Sequence, residues 1–250
     1  MLIIGKNPIY EVLKQNPKDL NKLILLKTVK PEKKLKEIVD IAQQNKINTL
    51  FLNKDQFLKY FKSKNKSEGI AQGVIGFMKD FEYAEMRDIL DKCKKMKSPL
   101  LLLLDNITDP QNLGAIVRSA VCLGADGIVI PRHNSAEINH TSMKASSGAA
   151  NMIPIAKEIN LTNTIRTLKQ HGFFIIGADS NTNKLIYEEK FEGPIAIVMG
   201  SEGAGLRPVM KQNCDQLIRI PMMAKIDSLN VSVSTAIFLY EVFRQKNVKK

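Results

Sequence analysis

Beyond residue 100, short apolar runs alternate with amphipathic segments, and few folds are compatible with this alternation. The runs occupy residues 101–105, 127–131, 152–156, 173–177, 195–200 and 216–221. Segments with helical spacing lie between most of them, notably at 114–123, 161–170 and 209–213, and a last one covers 231–245. Near-continuous apolar strands separated by helices are typical of a mostly parallel sheet with helices on both faces. Residues 100–250 are therefore predicted to form an α/β domain around a six-stranded sheet.

The first third of the chain has a different pattern and predicts a separate small α/β unit over residues 1–80. Helical spacing marks 5–14 and 31–45, and short strand candidates lie at 23–26, 49–52 and 73–77. Residues 81–99 lack strand patterning and close on Pro99. We expect a helix there, followed by a linker between two domains.

Positive charge is concentrated in the first unit. The 250 residues carry 37 Lys and Arg against 25 Asp and Glu, a formal net charge of +12, and residues 1–80 hold 16 of the basic and 8 of the acidic side chains. Such a module favours a polyanion such as nucleic acid, because neutralised phosphates release counterions; a solvated Lys-rich surface is the alternative. The run 59–66 combines four lysines with two aromatic residues. It is either an RNA-contacting surface or a solvated helix end.

Cysteine and hydropathy patterns exclude several classes of protein. The three cysteines are far apart, and the three histidines show no ligand spacing with them, so neither a disulfide framework nor a metal site is indicated. The apolar run at the N-terminus is short and interrupted by Lys6, unlike a signal peptide. The longest pure apolar run, 100–104, is far short of a membrane span. We expect a soluble protein of the reducing cytoplasm without a membrane partner.

Three polar loops hold the candidate chemistry, because ligands of open α/β sheets bind beyond the carboxyl ends of the strands. In the first loop Asn112 sits where a helix N-cap is expected, and Arg118 lies six residues further on. An arginine early in a helix opposes the macrodipole, so this one could instead hold a phosphate or carboxylate. An arginine extended into solvent is the alternative.

The other two loops are rich in small and polar residues. Residues 200–207 contain three glycines, which allow positive φ and close backbone approach to a ligand, but they match neither a P-loop nor a dinucleotide fingerprint. Glu202 within them favours a cation or hydroxyl donor as a partner. In the third loop Ser228 and Asn230 interrupt an apolar entry into the last helix. An N-cap accounts for one of them, and the other polar groups there need partners if buried.

Together the three segments resemble the SpoU (TrmH-like) family of RNA ribose 2′-O-methyltransferases in the SPOUT superfamily. The family's motifs match NLGAIVR at 112–118, MGSEGAGLR at 199–207, and IPM with SLNVSVSTA at 220–222 and 228–236, in the same order and with similar separation. Residues 3–13 and 69–77 resemble the small N-terminal substrate-binding domain of the members that modify a guanosine in 23S ribosomal RNA. Residues 133–150 fit those members too.

The resemblance implies a deep trefoil knot in the catalytic domain and a homodimer whose sites lie near the subunit interface. It also implies S-adenosyl-L-methionine bound in the knot by backbone groups of Gly200, Ile220 and Leu229. Ala178 and Met222 are further contacts on the same ground. The sequence departs from many relatives at residues 224–225, beside the cofactor loop, where Ala and Lys stand in place of Gly and a small residue.

The family's active-site positions correspond to Asn112, Arg118, Glu202, Ser228 and Asn230. The implied reaction is in-line attack of a ribose 2′-oxygen on a sulfonium methyl. Because a guanidinium gives up its proton only in strongly basic solution, we interpret Arg118 as a clamp for phosphate and ribose, with proton removal unassigned. Asn112 and Asn230 would fix Arg118 and the loops, Ser228 would support the substrate, and Glu202 would orient Arg118 or a backbone amide.

The predicted function is therefore S-adenosyl-L-methionine-dependent 2′-O-methylation of RNA, with a guanosine in 23S ribosomal RNA as the target. Three alternatives remain open. A transfer-RNA ribose methyltransferase would share the motifs, although such relatives generally lack the N-terminal domain. A non-catalytic RNA-binding assembly factor could use the same scaffold. A nucleotide-dependent oxidoreductase is disfavoured, because no glycine fingerprint follows the first strand of the large sheet.

Overall fold

A computed structural model describes residues 2–29, 32–62, 73–223 and 228–247. The chain divides into two compact units, Met1–Phe81 and Glu82–Lys250. Among the described residues, no helix combines the length and apolar character that crossing a membrane requires.

The first unit is built on a four-stranded mixed sheet. Its described helices and strands are β1 (Leu2–Ile4), α1 (Lys6–Gln15), β2 (Leu20–Leu26), α2 (Lys33–Gln44), β3 (Asn48–Leu52), α3 (Lys54–Lys62) and β4 (Val74–Met78). The strand order is β1-β4-β2-β3, with β4 antiparallel to β1 and β2, and β3 parallel to β2. Helix α2 buries Leu35, Ile38 and Ala42, whose helical spacing places them on one face. The helix and strand candidates are confirmed here, and β1 is an element that the patterns miss.

The second unit contains the large sheet. Its described helices and strands are α4 (Met86–Cys93), β5 (Leu100–Leu104), α5 (Pro110–Cys122), β6 (Gly127–Pro131), α6 (His140–Ala145), β7 (Ile155–Glu158), α7 (Leu161–Gln170), β8 (Phe174–Ala178), β9 (Ile195–Met199), α8 (Pro208–Asn213), β10 (Gln216–Ile218) and α9 (Val231–Asn247). Six parallel strands pair in the order β10-β8-β9-β5-β6-β7. The predicted mostly parallel α/β sheet is confirmed. Helix α6 is absent from the sequence prediction.

Residues 82–99 belong to the second unit, which differs from the predicted linker. The helix expected there is α4, and it buries Ile89, Leu90 and Cys93. These side chains join the core formed by the large sheet with α7. Burial of three residues in eight explains why the segment is part of the domain and not a solvated connector.

The strand order positions the functional loops. Strand β5 lies at the centre; the chain proceeds outward to β6 and β7, then crosses to β8 and returns to insert β9 between β5 and β8. The order thus reverses between β5 and β9, the kind of place where open α/β sheets bind ligands. Beyond β10 the chain runs beside residues 184–186: the amide of Arg219 donates to the Lys184 carbonyl, and the amide of Ile186 donates to the Arg219 carbonyl. The trefoil knot itself stays a prediction.

Candidate active site

A cavity of about 780 Å³ opens where β8, β9 and β10 end. All five residues predicted to contact a cofactor line it: Ala178, Gly200, Ile220, Met222 and Leu229. They come from three separate stretches of chain, which the parallel strands bring to one edge of the sheet. Residues 224–225, where the sequence departs from many family members, lie outside the described residues.

Beside this cavity, one side chain from each motif joins a closed hydrogen-bond network. Asn112 Nδ2 donates to Glu202 Oε2 at 3.1 Å, and Asn230 Nδ2 donates to Asn112 Oδ1 at 3.0 Å and to Glu202 Oε2 at 3.4 Å. Asn230 also precedes α9, and its Oδ1 accepts from the Ser232 amide at 2.9 Å. The network therefore ties the start of α5, the loop after β9 and the start of α9 into one arrangement.

Asn112 is not the N-cap of α5, as the sequence analysis expected. Asp109 holds that position: its side chain accepts from the Gln111 amide, and Pro110 occupies the first helical turn. Asn112 lies inside the first turn, so its amide is available to Glu202 and Asn230. The helix starts earlier than the apolar periodicity indicated because Asp-Pro supplies the cap and the first turn.

Arg118 stands apart from the network. It lies in the second half of α5, so the argument that it opposes the macrodipole is wrong. Within the described part of the chain its guanidinium makes one hydrogen bond, from Nη1 to Ser147 Oγ at 3.2 Å. Glu202 does not orient it, and Asn112 and Asn230 bind each other and Glu202 instead.

Ser228 and Glu202 both line the cavity, which brings the second and third motifs to the same space. Asn112 and Arg118 are not among its lining residues. The predicted site residues therefore fall into three groups. The first lines the cavity, the second forms the three-residue network at its edge, and the third is the exposed Arg118 on α5.

Gly200 is required by the fold of its own loop. The amides and carbonyls of Ser201 and Gly205 bond to each other at 3.1 and 2.9 Å, closing a tight turn. A Cβ on Gly200 would lie 2.2 Å from the Gly205 carbonyl carbon and 2.3 Å from the Leu206 amide nitrogen. The close approach that the sequence assigned to a ligand is thus made by the chain itself, which holds Glu202 at the tip of the turn.

Replacing Gly200 with alanine is expected to displace this turn, because the clash is with backbone that cannot rotate away. We expect a loss of about 1–3 kcal/mol in the free energy of unfolding, typical of overpacking. The Kd for S-adenosyl-L-methionine should rise at least tenfold, equivalent to about 1.4 kcal/mol. Thermal melting and calorimetric titration measure both. Gly172→Ala is the control: Gly172 stands at positive φ, so the variant is strained, but the added Cβ has open space around it and no turn to displace. An unchanged Kd in Gly200→Ala would contradict the assignment.

An ion pair fixes the other end of the same loop. Asp105, fully buried at the end of β5, accepts from Arg207 Nε at 2.8 Å and from Nη2 at 2.6 Å. The hydrogen bond to Asp105 raises the pKa of Arg207. The pair joins the end of β5 to the second motif, where the strand order reverses. The sequence analysis gave neither residue a role, although a lone carboxylate closing an all-leucine strand signals that a cation must meet it.

Two of the three cysteines, Cys93 and Cys214, are poorly suited to act as nucleophiles. Burial raises the pKa of the Cys214 thiol to about 12 and that of Cys93 to about 11, so both stay protonated at neutral pH.

Comparison with known proteins agrees with this geometry. Residues 99–240 match the SpoU rRNA Methylase family, and residues 2–84 match the family described as RNA 2'-O ribose methyltransferase substrate binding. The chain is 34% identical to the 23S rRNA (guanosine-2'-O-)-methyltransferase RlmB of Escherichia coli (strain K12) over 247 residues, which is 98% of this chain and 99% of that protein.

Two solved structures are similar as well. The SpoU methyltransferase AviRb from Streptomyces viridochromogenes, in complex with the cofactor AdoMet, superposes with a TM-score of 0.67 at 22% identity, covering 100% of this chain and 91% of that one. The A. aeolicus TrmH/SpoU tRNA modifying enzyme gives a TM-score of 0.56 at 28% identity, and it covers 64% of this chain and 81% of that one.

The fold and the matching families thus define an RNA-modifying enzyme, a ribose 2′-O-methyltransferase whose substrate-binding unit is N-terminal to its catalytic domain in the sequence. The chain belongs to the SpoU rRNA methylase family.

Proposed function

We propose that this chain transfers a methyl group from S-adenosyl-L-methionine to the ribose 2′-oxygen of a guanosine in 23S ribosomal RNA. The observation that carries the proposal is the Asn112–Glu202–Asn230 network at the edge of the 780 Å³ cavity. It joins the three family motifs in one place, and the family is one of ribose methyltransferases.

The cavity fits the cofactor. Its wall combines apolar side chains such as Ile220 and Leu229 with polar loop backbone, as an adenosine with a charged tail requires. Arg219 Nε is buried in this wall and has no hydrogen-bond partner among the described residues. Such a donor calls for an acceptor on a ligand. When bound, the cofactor supplies an electrophilic methyl on its sulfonium.

The residues of the network act by positioning. Asn112 and Asn230 hold Glu202, and through it the loop that forms one wall of the cavity. Ser228 lies in that wall, where its hydroxyl supports the ribose. Arg118 is exposed, and its guanidinium is a planar donor that matches a phosphate, so we assign it as a clamp for a substrate phosphate and not as the base. Holding two reactants in line in this way lowers the barrier by several kcal/mol, about 7–11 at most.

The first unit supports a large RNA as substrate. The relative named for 23S rRNA aligns over 98% of this chain, whereas the structure titled a tRNA modifying enzyme covers 64% of it. Tyr60 on α3 meets Phe77 edge-on at 6.1 Å between ring centroids, and Lys22 Nζ lies 5.1 Å from the Tyr60 centroid. The exposed ring of Tyr60 next to a lysine suits an unpaired base and its phosphate. Residues 63–66 of the predicted contact run lie outside the described residues.

A homodimer in the cytoplasm completes the proposal. Helix α9 buries one apolar face, yet Val233 and Tyr240 remain 47% and 55% exposed on the same helix. A helix that is apolar on more than one side favours a second partner surface, and a second copy of the chain is the partner we propose. Acting on ribosomal RNA places the enzyme in the cytoplasm.

Methyl transfer from labelled S-adenosyl-L-methionine tests the substrate. Large-subunit ribosomal RNA and transfer RNA are transcribed in vitro, so that both are unmodified, and are offered separately to the full-length protein. We expect label in the large-subunit RNA, on the ribose of one guanosine, where the 2′-O-methyl group makes the adjacent phosphodiester bond resistant to alkali. Label in transfer RNA alone would support the enzyme class but contradict ribosomal RNA as the substrate. Label in neither RNA, with cofactor bound, would favour the non-catalytic assembly factor.

A further inference from the structure

We infer that Ser147 is a positioning residue for Arg118, and that its hydroxyl sets the direction of the guanidinium toward the substrate phosphate. The inference rests on the role proposed above for Arg118. Ser147 belongs to residues 133–150, a segment to which the proposed mechanism assigns no role.

Close packing of α5 and α6 brings the two residues together. Gly114 lies one turn before Arg118 on the same face of α5. A Cβ at Gly114 would lie 2.5 Å from both the Ala145 Cβ and the Ser142 carbonyl oxygen, so only glycine lets α6 come this near. The end of α6 is therefore held against α5, directly beside the exit of the Arg118 side chain.

Both ends of α6 are fixed, so this placement is rigid. At the start, Asn139 accepts from the Thr141 and Ser142 amides in a capping box. At the end, the Ser147 amide donates to the Lys144 carbonyl at 3.0 Å and the Gly148 amide donates to the Met143 carbonyl at 3.2 Å. These two bonds form a Schellman motif, in which Ser147 occupies the left-handed position.

A serine at that position is unfavourable unless its side chain is used. Ser147 has φ of 52°, a conformation in which glycine is strongly preferred. The hydroxyl is exposed to solvent, and it accepts from Arg118 Nη1 at 3.2 Å. Arg118 makes no other hydrogen bond or ion pair to the described residues. The strained serine therefore provides the contact by which the protein orients this guanidinium before RNA binds.

The variant Ser147→Gly distinguishes the effect of the backbone conformation on stability from the effect of the hydroxyl on activity. It relieves the left-handed strain and should raise Tm by up to about 4 °C, while it removes the acceptor for Arg118. We expect kcat for RNA methylation to fall about tenfold or more, in line with a lost hydrogen bond to a charged group, and the Kd for S-adenosyl-L-methionine to stay unchanged. Ser147→Asn tolerates the left-handed conformation and offers an acceptor again, so it should restore kcat above that of Ser147→Gly.

Lys46→Gly is the matched control. Lys46 has φ of 56° and occupies the same position of a Schellman motif at the end of α2, where its amide donates to the Gln43 carbonyl at 3.0 Å. This variant should gain stability in the same way without a change in kcat at saturating RNA, whereas the loss of one positive charge from the basic unit would affect only KM. A stabilised Ser147→Gly with wild-type kcat would overturn the inference, provided that Arg118→Ala is inactive.

A readout independent of activity comes from the ¹⁵N signals of the arginine guanidinium groups in the full-length protein, with Arg118 assigned by its loss in Arg118→Lys. We expect Ser147→Gly to shift the Arg118 signal and to speed rotation about its Cζ–Nη bonds, and Lys46→Gly to change neither. An Arg118 signal that is identical in wild type and Ser147→Gly would refute the contact. Full methylation activity in Arg118→Ala would instead refute the proposed role of Arg118. The contact with Ser147 would then have no catalytic function.

Discussion

Alanine at Asn112 or at Arg118 is expected to reduce methyl transfer at least about 10²–10³-fold, the effect of removing one preorganised polar group from an active site. For Asn112 the reason is the loss of the link between Glu202 and Asn230; for Arg118 it is the loss of the phosphate clamp. Binding of S-adenosyl-L-methionine should survive in both variants, because neither side chain lines the cavity and the Asp105–Arg207 pair still anchors the loop 200–207. Single-turnover methylation of RNA and calorimetric titration of the cofactor measure the two effects.

Gln111→Ala is the control for this experiment, because Gln111 is an exposed neighbour on the same helical turn and its side chain is outside the network. Loss of cofactor binding in both site variants would show that the two residues support the cavity and not the substrate. Full activity in either would remove that residue from the mechanism.

Replacing Arg207 with methionine is expected to lower the free energy of unfolding by about 3–5 kcal/mol. The reason is that the carboxyl group of Asp105 is fully buried and would lose the guanidinium that compensates it. Urea denaturation followed by far-ultraviolet circular dichroism measures the loss. The loop 200–207 is anchored by this pair, so the Kd for S-adenosyl-L-methionine should rise as well.

The double variant Asp105→Asn with Arg207→Met distinguishes the lost pair from a general packing effect. Removing both charges is nearly neutral when neither is left unpaired, so we expect it to recover most of the stability. A double variant as unstable as Arg207→Met alone would mean that the side chain of Arg207 contributes by packing.

Local patterns were sufficient for most elements of the second unit. The predicted helices at 161–170 and 231–245 correspond to α7 and α9, and each of the six apolar runs overlaps a strand. These features depend on periodicity within one segment, which the sequence displays directly. Helix α6 has only six residues and no apolar face of useful length, so periodicity could not reveal it.

The motifs supplied the candidate site residues but not the partners of those residues. Glu202 was expected to orient Arg118 or a backbone amide, and it instead accepts from the side chains of Asn112 and Asn230, residues 90 and 28 positions away. Arg118 meets Ser147, which no motif indicated. Asp109 caps α5 in place of Asn112, because a local Asp-Pro turn outweighs the apolar spacing.

By itself the sequence indicated a basic unit followed by an α/β unit, most of the strands and helices, and, through the family resemblance, a set of candidate site residues. Only the tertiary structure decided the strand order β10-β8-β9-β5-β6-β7, the hydrogen-bond partner of each site residue, and the close approach of α6 to α5 that presents Ser147 to Arg118. The physical reason is that apolar periodicity and turn chemistry act between near neighbours in the chain. Hydrogen bonds between side chains depend on which distant segments the packed core brings within about 3 Å of each other.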